Sequence, residues 1–385
     1  MQEPSFPEDQ PKKENTLSTK CQFLLWSCVL TPISIITDIP CNPLKFAKYA
    51  SYKTKSQPWT ISTGYLDADS LLDIVVVNQA SSNIGIYYGI GNGKFQNQIL
   101  ITTILYDSYV ALRDMNYDNK LDIILTYNNL NQIAILINNG NQKFNSPITY
   151  SVGSAPYWLD ISDFNKNNLL DVVVVNSEDN SVTILYDYYN LSFNYSKTYI
   201  AGNDVSGVSV ADFNNDLYPD FVTADYSDNT ISVMINSKNG MFKNRKTYFT
   251  GVEPWGIATA DLNNDNFIDI VITNYGSSAL NVLLNDGYGN FNRRDTYYVG
   301  GTPMSVALAD LNNDTFIDII AANWGDKYVY IFLNKQNGKF QTYQRLTTDA
   351  SYATAVTTGD FNGDGKVDIA AVTYSNTLDI FLNQC

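Results

Sequence analysis

Aspartates at a fixed spacing are the residues best placed to do chemistry. "DFNGDGKVD" sets Asp360, Asn362, Asp364 and Asp368 at positions 1, 3, 5 and 9 of a nine-residue segment. The same positions hold Asp310, Asn312, Asp314 and Asp318, then Asp261, Asn263, Asp265 and Asp269. They hold Asp212, Asn214, Asp216 and Asp220, and Asp114, Asn116, Asp118 and Asp122. A sixth set, Asp163, Asn165, Asn167 and Asp171, has an amide at position 5. Alternating oxygen-bearing side chains on a tight loop, with a later carboxylate, can wrap a hard cation. Calcium takes six to eight oxygens, and a backbone carbonyl and water can complete the set. The ion's charge also offsets the repulsion among crowded carboxylates. The expectation is about five to six calcium ions. The set from Asp163 should bind more weakly, and the first copy, where Tyr65 replaces the leading Asp, should bind none. The alternative is a metal-free series of Asx turns. Position 6 is glycine only at Gly365; elsewhere it is Ser70, Asn119, Asn168, Leu217, Asn266 or Thr315. Asn tolerates a left-handed backbone, while Leu217 and Thr315 do so less readily.

The elements that must position these loops repeat with them. The segments start at residues 65, 114, 163, 212, 261, 310 and 360, and Phe46, Phe95, Phe144, Phe193, Phe242, Phe291 and Phe340 recur every 49 residues. A fixed period of this size marks a repeat architecture. Each unit reads as an inner strand ("SVALADL"), the acidic loop, a strand ("DIIAANW"), a turn, a third strand ("YVYIFLN") and an outer strand ("KFQTYQRL"). The last unit stops at "LDIFLNQC" without its outer strand, and an orphan "KFAKYASYKTKSQPW" precedes the first acidic loop. That orphan supplies the missing strand. Seven four-stranded units closed by a swapped strand predict an all-β, seven-bladed propeller over residues 41–385.

Closure brings two cysteines together. Cys41 aligns with Asn139 and Cys385 with Gly140 of the third unit's hairpin, so a Cys41–Cys385 disulfide fits. It would close a long loop and place the chain in an oxidising compartment. Residues 1–20 read as a polar disordered segment. Residues 21–40 hold an apolar run after Lys20, read as a signal peptide and linker, or else as a buried flanking segment. Its loss would remove Cys21 and Cys28.

Bulk properties exclude several classes. The 385-residue chain carries a formal charge of −15, and the seven acidic segments hold about half of its 39 acids. Such a chain is a poor partner for nucleic acid or anionic lipid. It has no histidine, which removes the commonest general base, Ser/His and Cys/His arrangements and His-based zinc sites.

The "DFNGDGKVD"-type loops, the "DIVVVN" strand, the "GKF" hairpin and turns such as "GSAPYW", "GVEPWG" and "GGTPMS" resemble the FG-GAP/VCBS repeat family. Its best-known member is the N-terminal propeller of integrin α subunits. The resemblance covers residues 43–385. It implies calcium in blade hairpins on a lower face and ligand binding on an upper face built from the second-to-third and fourth-to-first strand loops. The chain stops where an integrin subunit would continue into leg domains and a membrane helix, so a secreted monomer without a membrane span is expected.

The projected upper loops carry Trp59, Tyr109, Tyr157, Trp158, Trp255 and Tyr352 from one set of turns, and Tyr226, Tyr275, Trp324 and Tyr374 from the other. Asn78, Asn176, Asn274 and Asn323 precede the second set. Aromatic faces beside amides suit protein hot spots or sugar rings; the alternative is packing between blades. Trp59, Trp158, Tyr226, Trp255, Tyr275, Trp324 and Tyr374 are therefore the candidate ligand face. An extracellular adhesion or interaction module ranks first, a lectin second, and a carbohydrate-active enzyme last. Sequons at Asn190, Asn194 and Asn313 fit a secreted glycoprotein.

Overall fold

The computed structural model describes residues 43–104 and 107–385. Among them, 28 strands form seven four-stranded antiparallel sheets. The first blade runs Pro58–Gly64, Asp73–Asn78, Asn83–Tyr87 and Ile99–Thr102, and the order repeats around the ring. In the seventh, the outer strand is Phe46–Lys53, paired from Phe46↔Asn383 to Lys53↔Thr377. The N-terminal strand therefore completes the last blade, as the sequence repeat requires.

The pattern of burial explains why these segments are strands. Second strands such as Asp73–Asn78 and Asp269–Asn274 are buried at every residue, because each sheet lies between two neighbours. Outer strands such as Arg293–Tyr298 are half solvated and alternate. Seven buried apolar clusters form, each drawn from two adjacent blades. The core is thus a set of blade interfaces, and no blade can bury its apolar faces alone.

The recurring Phe is an interface wedge. Phe242 meets Phe164 of the preceding blade at 5.4 Å, and Phe291 meets Phe213 at 5.5 Å. Phe95 meets Phe361 at 5.7 Å across the ring closure. At three positions a tyrosine on the preceding outer strand clamps it: the amide of Phe95 donates to Tyr52 Oη at 3.0 Å, that of Phe242 to Tyr199 Oη at 3.4 Å, and that of Phe340 to Tyr297 Oη at 3.2 Å. These tyrosines lie 43 residues before their phenylalanines.

Closure has its own fastenings. The Gly93 amide donates to Phe361 O at 2.9 Å, and Thr354 Oγ1 donates to Pro58 O at 3.0 Å. Lys48 on the swapped strand reaches Asp379 at 3.1 Å and Asp349 at 2.5 Å. The Asp379 side chain is fully buried. Cys385 is disulfide-bonded. Cys41 lies outside the described residues, as do the polar segment 1–20 and the apolar segment 21–40.

Lys48→Ala should strip the buried Asp379 carboxylate of its only cation among the described residues and cost about 3 kcal/mol. The expected readout is a lower urea midpoint, with early proteolysis in residues 46–53. An unchanged midpoint would show that the pair does not hold the seam.

Candidate functional site

The acidic loops join inner to second strands, so all seven lie on one face of the ring. In each of blades 2–7 the leading Asp accepts the amides of positions 5 and 6. For Asp212 these are Asp216 N at 3.0 Å and Leu217 N at 2.6 Å. Asn at position 3 accepts the position-5 amide through Oδ1, as Asn263 does from Asp265 at 3.0 Å. Position 5 accepts from position 7. Positions 4 and 6 are left-handed in all six, including Leu217 at φ 70° and Thr315 at φ 72°. The loop geometry thus holds where the sequence made it hardest.

Position 9 has a different place. Asp73, Asp122, Asp171, Asp220, Asp269, Asp318 and Asp368 are fully buried. Each holds two backbone amides, one seven residues back and one near the end of the third strand. For Asp220 these are Phe213 N at 2.9 Å and Asn236 N at 2.7 Å. The Asn236 amide group then donates to Phe164 O of the preceding blade at 2.8 Å. Asn138, Asn285, Asn334 and Asn383 do the same at 2.7–2.8 Å. The carboxylates therefore belong to a hydrogen-bond relay that runs from blade to blade.

Two blades break the relay. Blade 1 holds Gly89 in the Asn slot, with no side chain to donate, and reaches Phe361 O of blade 7 through the Gly93 amide at 2.9 Å instead. Blade 3 is the other. Its Asn slot holds Asp187, which cannot donate. Instead its carboxylate accepts from Asn165 at 2.8 Å, Asn167 at 2.7 Å and Asn194 at 3.1 Å. Sequence reasoning missed Asp187, although its 49-residue offset from Asn138 and Asn236 carries the signal.

The donors at positions 1, 3, 5 and 9 are all hard oxygens, and an oxygen that accepts one N–H keeps a second lone pair. Among the described residues no group of three acidic side chains can hold a metal by itself. A cation here would therefore rest on Asn oxygen, backbone carbonyl and water as well as Asp. Burial pushes Asp73, Asp171, Asp220, Asp269, Asp318 and Asp368 up to about 7 and Asp122 up to about 6. The paired amides oppose the rise and neighbouring carboxylates add to it.

The opposite face collects the aromatics. Trp59 Nε1 donates to Tyr157 Oη at 2.8 Å, linking blades 1 and 3. Trp59 meets Trp324 of blade 6 at 5.9 Å, and Tyr157 meets Trp255 of blade 5 at 5.2 Å. Trp255 carries Tyr226 at 5.5 Å and Tyr275 at 6.2 Å. Trp324 carries Tyr352 at 5.2 Å and Tyr374 at 4.8 Å. These contacts cross the ring, so the aromatic side chains cap a central cavity of ≈ 140 Å³ lined by inner-strand hydroxyls such as Ser209, Thr259 and Thr357. Six of the seven candidate residues thus join one network. Trp158 stacks on Tyr109 at 4.5 Å and packs into two blade interfaces.

Turn chemistry positions the aromatics. The amides of Tyr226, Tyr275, Trp324 and Tyr374 each donate to a carbonyl of the preceding inter-blade turn, at 2.8–3.2 Å. Three of the four expected amide partners are spent: Asn78, Asn176 and Asn274 are buried and accept from Lys55 N, Gly153 N and Gly251 N at 2.8–3.1 Å. Asn323 is also buried and donates to Asp326 at 3.0 Å, but its Oδ1 accepts no hydrogen bond among the described residues.

Fold and loops together define a seven-bladed repeat propeller with one acidic and one aromatic face. A family model described as an FG-GAP-like repeat matches residues 65–125, 114–174, 163–223, 212–272, 261–321 and 310–371, and the chain belongs to that family. No curated protein matches it by sequence. Among solved structures, BBS1N in complex with ARL6DN aligns at TM-score 0.65 and 11% identity, over 88% of this chain and 96% of that one. Virginiamycin B lyase from Staphylococcus aureus aligns at 0.60 and 11%, over 88% and 99%. An Agrocybe aegerita lectin, described as recognising non-reducing terminal N-acetylglucosamine, aligns at 0.57 and 19%, over 83% and 86%. At these identities the likeness is one of fold. Among the described residues no helix is long and apolar enough to cross a membrane.

The raised carboxyls set a pH dependence. Their folded values lie above the ordinary 3.8, so between about pH 4 and 7 the native state binds more protons than the unfolded chain. That stabilisation is complete at low pH and is lost as pH rises through about 7. In EGTA the protein should therefore melt higher at pH 5 than at pH 7.5 in calorimetry. A depleted protein that melts higher at pH 7.5 would contradict this.

Proposed function

We propose that the chain is a non-catalytic, calcium-stabilised extracellular propeller that docks a protein ligand on its aromatic face. The observation that carries this reading is the ring network joining Trp59, Tyr157, Trp255 and Trp324 across the channel mouth, with Tyr226, Tyr275, Tyr352 and Tyr374 around it. Large, half-buried aromatic side chains held by backbone contacts lose little freedom on binding and make effective anchors. The buried, bonded asparagines weigh against a lectin, because few free amides remain to read sugar hydroxyls. The chain's lack of histidine and the assignment of about half of its acids to loops weigh against an enzyme.

Calcium binds at the loops of blades 2–7. Positions 1, 3 and 5 present the solvent-side oxygens, and position 9 contributes charge from beneath. Six ions would bring the formal charge of −15 to about −3. Cys41 pairs with Cys385 and locks the seam in an oxidising compartment, which fits secretion. Asn190 and Asn194 on blade 3 are exposed sequons, and so is Asn313, which lies within the acidic loop of blade 6 where a bound ion would compete with a glycan.

The test pairs a glycan array with binding to a panel of purified extracellular matrix proteins, in calcium and in EGTA. Calcium-dependent retention of a matrix protein is expected, weakened about tenfold or more by Trp255→Ala with Trp324→Ala, and the glycan array should be blank. Specific glycan signals abolished by the same pair of substitutions would make the chain a lectin.

A further inference from the structure

Three side chains at one repeat position set blades 3, 4 and 5 apart. Ile200, Phe249 and Tyr298 each end an outer strand, 49 residues apart, and are 83%, 78% and 72% exposed. The same position is Thr102, Ser151, Thr347 and Lys53 in the other four blades. Outer strands run from the acidic face to the aromatic face, so all three residues stand on the rim of the aromatic face. Fold stability gives no reason to expose them, since each lies beyond the blade interfaces. Between Phe249 and Tyr298 lies a groove of ≈ 280 Å³, bordered by Val252 and Arg294. Arg294 keeps its positive charge there, its guanidinium donating only to the neutral carbonyls Phe249 O at 3.0 Å and Thr250 O at 2.7 Å, and the acids of the surrounding turns outnumber it.

The turns of the same sector carry charge of one sign. The aromatic-face turns of blades 3–5, residues 177–180, 201–204, 226–229, 250–253 and 275–278, hold Glu178, Asp179, Asp204, Asp228 and Glu253, and no Lys or Arg. None of the five acids is in an ion pair among the described residues. Asp179, Asp204 and Asp228 are fixed by amide or hydroxyl donors. Glu253 lies over Gly276, where a Cβ would fall 2.6 Å from Oε2, and beside Tyr226 in the aromatic network. The basic residues of these blades, such as Lys243, Arg245 and Lys246, are on the outer strands.

We propose that the aromatic-face rim of blades 3–5 is the docking surface for a basic protein segment, in which Lys or Arg alternates with apolar side chains. Ile200, Phe249 and Tyr298 take the apolar contacts, and the five turn acids and the Tyr226–Trp255–Tyr275 faces take the cations. This rests on the protein-docking reading of the same face and narrows it to one sector and one partner chemistry.

The test selects random twelve-residue peptides against the immobilised full chain in calcium, then measures the affinity of the winners. Winners should carry net positive charge with apolar residues, bind less well as salt rises, and lose about tenfold or more in affinity to Ile200→Ser with Phe249→Ser. Glu253→Gln should also weaken them, and the melting temperature should stay unchanged in both variants because the substituted side chains are not core residues. Winners without net positive charge, or indifferent to these substitutions, overturn the inference. If those winners are instead lost with Trp324→Ala, docking on the aromatic face stands and only this sector is wrong. No winners of any charge would contradict both readings.

Discussion

Seven buried carboxylates hold the ring together. Each position-9 Asp ties the start of its own acidic loop to the end of its third strand, as Asp269 does through Leu262 N at 3.0 Å and Asn285 N at 2.8 Å. In five of the seven blades an asparagine at the end of the third strand passes the connection to the neighbouring blade. A buried charge of this kind is expensive unless its hydrogen bonds are made, which is why the motif keeps its spacing through seven copies while the residues between vary. The acidic character of the chain follows from this duty. The exposed members of each loop are crowded above a carboxylate that must stay in place, and a divalent cation is the simplest means of relieving that field.

The two faces divide the work. On the acidic face, sequence freedom is small, because positions 1, 3, 5 and 9 each answer to named amides. On the other face the same hydrogen-bond economy acts through turns: the inter-blade turn carbonyl fixes the backbone of Tyr226, Tyr275, Trp324 or Tyr374, and the side chain is left to vary. This makes the aromatic face a platform whose chemistry can change without disturbing the ring. The proposed sector on blades 3–5 uses that freedom.

Much of this was legible in the sequence, because repetition turns a weak local pattern into a strong one. Seven acidic segments and seven phenylalanines in phase gave the blade count, the strand order and the swapped closing strand from Phe46. The aromatic positions were legible too, since offsets from position 9 project onto one face. What could not be read was who contacts whom. Trp158, one residue past the 49-residue register that Trp59, Tyr157 and Trp255 share, packs between blades, whereas Trp59 reaches across the channel. Asn78, Asn176 and Asn274 looked available to a ligand and are instead buried under inter-blade turns. Position 9 looked like one more metal oxygen, whereas its first partners are backbone amides. Each of these depends on contacts between residues far apart in the chain, which spacing alone does not encode.

Counting ions on the metal-stripped full chain by native mass spectrometry, as calcium is raised to millimolar concentration, tests the central claim most directly. The account predicts about five to six bound calcium ions, the weakest of them lost when Asp163 is replaced by Ala. A chain that stays ion-free at millimolar calcium, yet keeps its native mobility, would mean that hydrogen bonds alone sustain the acidic face.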